Sequence, residues 1–127
     1  MTSDAADLLL FAREDFSAAQ QMLAHAVGLP RHVCGHAQQT AEKAIKAALI
    51  EERVLPPYRH DLVLLADLLA PSLPLPVIRA DLQFLTTFAL RSRYPDDLPN
   101  AGPDDARDAV RIAGAVLEAV EAHLARR

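Results

Sequence analysis

His36-Ala37-Gln38-Gln39-Thr40-Ala41-Glu42-Lys43-Ala44-Ile45-Lys46-Ala47-Ala48-Leu49 is the stretch that decides the fold. At about 100° per residue, Ala37, Ala41, Ala44, Ile45 and Ala48 share one arc, and His36, Gln39, Lys43 and Lys46 share the opposite one. The stretch is therefore an amphipathic helix. Its apolar face is mostly alanine, which loses no side-chain entropy in a helix and lets neighbouring helices approach closely. That predicts a central position in the packing. The opposite face lines up two ammonium groups, an amide and an imidazole, and is open to two readings: an anion-binding strip or the wet side of a helix, with Glu42 and Lys46 as an ordinary i, i+4 ion pair.

Outward from this helix the chain reads as helices throughout. Upstream, Ser3 is placed to cap a first helix running to about His25, with Leu8, Ala12, Phe16, Ala19, Leu23 and Ala26 at intervals of three and four. Gly28 and Pro30 stop it and start the central helix, expected from about His32 to Arg53, so the two form an antiparallel pair. Downstream, Pro56 and Pro57 break the pattern, and Asp61 caps a short third helix from Leu62 towards Ala70. Apolar nearly all round, that helix is expected to be wedged into the core. A fourth helix follows Pro74 and Pro76, with Ile78, Leu82, Leu85 and Ala89 as its buried stripe and an end near Arg91. The long loop Ser92 to Gly102 leads to a last helix opened by Pro103, with Ala106, Val110, Ala113, Leu117, Val120 and Leu124 facing the core. The expected fold class is all-α, an antiparallel bundle of four long helices plus one short helix, forming one domain over residues 1–127.

Composition narrows the function. Of 127 residues, 51% are hydrophobic but only 5% aromatic, which favours helix packing over a β-sandwich. A net charge of −4 gives no general attraction to nucleic acid or anionic lipid, so binding of either needs a local basic patch. Cys34 is the only cysteine, which excludes an internal disulfide and fits a reducing compartment. Neither a signal peptide nor a membrane span is legible, and the chain is expected to be cytoplasmic. His32 and His36 lack a third ligand of fixed relation, so no metal and no cofactor is expected.

Three pieces together, His36 to Leu49, His60-Asp61-Leu62, and Ser92-Arg93-Tyr94-Pro95-Asp96, resemble the signature of HEPN domains, the "higher eukaryotes and prokaryotes nucleotide-binding" family. Their order and spacing match over nearly the whole chain. The resemblance is to stand-alone prokaryotic members, and it implies a small helical bundle, a homodimer, and a minimal nucleotidyltransferase as partner, as in a toxin-antitoxin pair. Many members of the wider superfamily are ribonucleases with Arg, four to six residues, then His near the end of the third long helix. Here Arg91, Arg93, Tyr94 and Pro95 occupy that place, and no His follows before His123. The same spacing at Arg31 to His36 and Arg53 to His60 falls in the wrong part of the fold. Without that general base, metal-free RNA cleavage has no evident proton acceptor.

The candidate ligand-binding residues are therefore Gln39, Lys43, Lys46, His60, Arg93 and Tyr94. Arg93 offers a planar fork for phosphate and Tyr94 a ring for base stacking; the alternatives are Arg93 tied to Asp61 or Glu42 and Tyr94 covering the core. If His60, Lys43 and Arg93 converge, they form a basic cleft suited to a nucleotide or RNA. The leading expectation is a non-catalytic, nucleotide- or nucleic-acid-binding partner subunit. Its alternatives are a ribonuclease toxin with an atypical site and a structural interaction module.

Overall fold

A computed structural model describes residues 1–89 and 99–126. Among these residues are five α-helices and no strand: α1 (Ser3–Ala24), α2 (Pro30–Glu51), α3 (Leu62–Asp67), α4 (Arg79–Thr86) and α5 (Pro103–Ala125). None is long and apolar enough to cross a membrane. The all-α bundle is as the periodicity predicts, with α2 at its centre. α1 runs antiparallel to α2, and the Thr2 backbone N–H donates to Glu51 Oε1 (2.6 Å) where the two ends meet. α5 packs on α2 and runs parallel to it: Asp105, at its start, lies near Cys34, and His123, at its end, bonds Glu52 (3.1 Å). α3 and α4 cover a further side of α2.

Alanine makes this centre possible. Ala37, Ala41, Ala44, Ala47 and Ala48 of α2 are fully buried, against Ala5, Ala12 and Ala19 of α1 and Ala109 and Ala113 of α5. Small residues on facing helices bring the backbones together and leave room for Ile45, Leu49, Ile112 and Val116 to fill the gaps. Gly114 carries the same logic further, because a Cβ there would lie 2.9 Å from Phe16 Cζ. Cys34 is buried in this region, and burial, helped by the charge of Asp105, pushes its thiol up to about 11. A thiol held protonated in this way is inert.

Several boundaries depart from the expectation. The first helix is capped by Thr2, whose hydroxyl accepts from Ala5 N–H (3.2 Å), and Ser3 is already helical. α2 begins at Pro30 itself, the favoured first position. Both α1 and α2 end in a left-handed residue that is not glycine, Ala26 (φ 52°) and Arg53 (φ 60°). In each the next N–H reaches back five residues, Val27 to Met22 O (3.0 Å) and Val54 to Leu49 O (2.9 Å).

α3 is capped by Asp61 as expected, its carboxylate accepting from Val63 and Leu64 N–H (3.0 and 3.3 Å). It stops at Asp67, short of the expected Ala70, where Leu68 and Leu69 N–H turn back three residues to the Leu65 and Ala66 carbonyls, and Pro71 bars any continuation. Only Leu62 and Leu65 are buried and Leu64 and Leu68 are exposed, so α3 lies on the core and is not wedged into it. Ile78, expected in the buried stripe, is exposed as well, while Leu82 and Leu85 are buried as expected and Phe88, just past the end of α4, joins them in the core. α4 ends early, at Thr86, where Thr86 and Thr87 hydroxyls donate to the carbonyls of Leu82 and Phe84 and the chain tightens into three-residue turns. The expected end near Arg91 lies outside the described residues.

Candidate functional site

The polar side of α2 is neither wet nor simply basic. Gln38, Thr40 and Glu42 are buried on it, and Gln39, Lys43 and Lys46 are half-buried. The helix pitch puts Gln39 and Lys46 along its middle, His36 and Lys43 towards α1, and Gln38 and Glu42 towards the segment that enters α3. The side-chain contacts agree: Asp15 of α1 bonds both Lys43 and, at 3.3 Å, His36 Nδ1, while His60, just before α3, bonds Glu42. From His36 to Lys46 this strip runs roughly 15 Å along the helix.

Each side of the strip repeats one arrangement, a carboxylate holding one imidazole and one ammonium. On the α1 side the members are Asp15, His36 and Lys43. On the α3 side Glu42 accepts from His60 Nδ1 (2.8 Å), Gln38 Nε2 (2.9 Å) and Lys46 Nζ (3.1 Å). Gln38 also donates to the His60 carbonyl (3.3 Å) and accepts from Gln39 Nε2 (2.7 Å). Burial pushes the Glu42 carboxyl up. The hydrogen bonds from Gln38 and His60, with the Lys46 ammonium, outweigh that effect and hold it below the ordinary glutamate range.

Among the described residues, two carboxylates thus balance two ammonium groups on the strip; the basic cleft expected from His60, Lys43 and Arg93 also needs Arg93, which lies outside them. The strip remains rich in donors. Each ammonium has three N–H groups and, among the described residues, commits one to its carboxylate, so two on each lysine remain for a ligand oxygen. Lys43, Lys46, Gln39 and His60 are brought onto one strip. Arg93 and Tyr94, the other two candidates, lie outside the described residues. Asp15 was not legible as a member, because nothing local in the sequence ties it to Lys43, 28 positions later. Apart from the strip, a concavity of about 610 Å³ lies between α1 and α5 and is rimmed by Arg13, Arg111, Glu118 and Glu121.

The comparisons with known proteins bear on what this strip belongs to. The HEPN domain model matches residues 5–123. Among solved structures, the chain is similar to TT1696 from Thermus thermophilus, at 26% identity and a TM-score of 0.78, covering 94% of this chain and 98% of that one. It is also similar in fold to ST0689, described as an archaeal HEPN homologue, at 20% identity and a TM-score of 0.66, covering 96% of this chain and 98% of that one. No curated protein matches it.

Proposed function

The chain belongs to the HEPN domain family, and from that premise we propose that it is a non-catalytic binding subunit whose α2 strip takes a nucleotide or the end of an RNA. Gln39, Lys43, Lys46 and His60, joined by Arg93 and Tyr94, are its ligand-binding residues. The observation that carries this reading is the pinning of two half-buried lysines by half-buried and buried carboxylates. Such lysines have little rotamer freedom left to lose on binding, and their remaining N–H groups suit phosphate oxygens. The absence of a His between Arg93 and His123 supports the non-catalytic role. His123 itself is buried and tied to Glu52, away from the strip.

A subunit of this kind works with another chain, and the partner proposed is a minimal nucleotidyltransferase, as in a toxin-antitoxin pair. Self-association is part of the same reading. Leu10 and Phe11 lie half-exposed on α1 and favour a homodimer. Calorimetry with ATP, GTP and a short RNA tests the binding. Micromolar affinity is expected for the parent chain and its loss in Lys43→Ala and Arg93→Ala; no heat from any of the three ligands overturns the reading. Co-expression with the nucleotidyltransferase is expected to give one complex on size exclusion, and separate elution would count against the partnership. Growth arrest on expression, abolished by Arg93→Ala, would instead establish a ribonuclease toxin.

A further inference from the structure

The α3-side wall of the strip has a feature that phosphate binding does not use. Because Glu42 is ionised, the hydrogen in its 2.8 Å contact with His60 sits on Nδ1. In the neutral imidazole this leaves Nε2 as an acceptor, and among the described residues no group bonds it. Gln38 fixes the same residue from its backbone side through the His60 carbonyl (3.3 Å). Two positions earlier, the Tyr58 ring stands edge-to-face with the imidazole, centroids 5.7 Å apart at 67°. Tyr58 is 92% exposed, so it contributes almost nothing to the core. An open aromatic ring beside a fixed acceptor has the two elements that hold a nucleobase, a stacking surface and a partner for an edge N–H.

We infer that Tyr58 and His60 form a nucleobase subsite at the α3 side of the strip, Tyr58 stacking the base and His60 Nε2 accepting an N–H from its edge. This rests on the nucleotide reading and adds its specificity. Lys46, which shares Glu42 with His60, then takes the phosphates. A purine with an exocyclic amine, such as adenine, suits the subsite best, because it offers the larger stacking face and the amine is a free donor. Uracil suits it least: its ring is smaller, and its one edge N–H is flanked by two carbonyl oxygens that face the acceptor lone pair.

The test is titration of the full chain with ATP, UTP, N6,N6-dimethyl-ATP, inorganic tripolyphosphate and a six-residue oligoadenylate. ATP is expected to bind about tenfold more tightly than UTP, and dimethylation of the amine to weaken it several-fold. Tyr58→Ala, an exposed position whose loss leaves the core intact, should bring ATP down to the affinity of UTP while Tyr58→Phe keeps it. Tripolyphosphate should not distinguish the variants. Comparing ATP with the oligoadenylate tells a free nucleotide from an RNA end as the source of the base. Equal affinity for ATP and UTP, or ATP binding untouched by Tyr58→Ala, overturns the subsite even if Lys46→Ala shows that nucleotides bind the strip. Failure of every nucleotide and of the oligoadenylate to bind overturns both the subsite and the reading beneath it.

Discussion

Two clusters of the same composition flank α2, and they differ in depth. Around Glu42 the side chains of the carboxylate and imidazole are 7% and 25% exposed; around Asp15 the corresponding values are 17% and 41%. Glu42 also has Gln38 as a third donor, whereas among the described residues Asp15 has only His36 and Lys43. The same three chemical groups are therefore shut off from water on one side and partly reached by it on the other. Removing one member of a buried charged set strands the rest without water, while an open pair is solvated when broken.

The largest effect expected from this difference is on stability. Glu42→Ala leaves the Lys46 ammonium, the His60 Nδ1–H and a Gln38 N–H without their acceptor, and should cost about 3–5 kcal/mol in urea denaturation. Asp15→Ala should cost about 1 kcal/mol or less. Equal losses would remove the distinction between the two sides.

Acid sharpens it further. Glu42 is held below its ordinary range when folded, so its contribution is fully present above the unfolded glutamate value, about pH 4.3, and is lost as pH falls through the lower folded value. In that acid window the parent should lose stability more steeply than Glu42→Gln, measured by denaturation at a series of pH values. Parallel curves would contradict the assignment.

The smallest effect is a control touching neither cluster. Arg53 ends α2 in the left-handed region, where only glycine is unstrained. Arg53→Gly should raise stability by about 0.5–1 kcal/mol, seen as a higher melting temperature, and leave the Glu42 and Asp15 differences unchanged.

How much of this was legible in the sequence follows from the range of each interaction. The alanine face of α2, the Asp61 cap and the Glu42–Lys46 pair are local, fixed by spacings of three and four, and all three are present. Thr2 and Ser3 are adjacent cap formers that spacing alone does not tell apart, and Thr2 is the one that caps α1. A helix apolar all round gives no sign of how much of it will be covered, so the exposure of Leu64 and Leu68 could not be read from α3 alone. Least legible were the carboxylates that balance the strip's charge. Lysines on one face read as basic from the sequence, and only the fold brings Asp15 to Lys43 and turns Glu42 towards His60. Tyr58 lies in a segment, between Pro57 and Asp61, that reads from sequence as a connection, and only its exposure in the fold singles it out.

Ligand binding on the α2 strip is tested most directly by following amide and imidazole resonances by NMR during addition of ATP or a short oligoadenylate. Shifts are predicted to concentrate at His36, Gln39, Lys43, Lys46 and the Tyr58 to His60 segment, with the His60 imidazole among them. Shifts confined to the groove between α1 and α5, around Arg13 and Arg111, or no shifts at ligand concentrations well above micromolar, would contradict it.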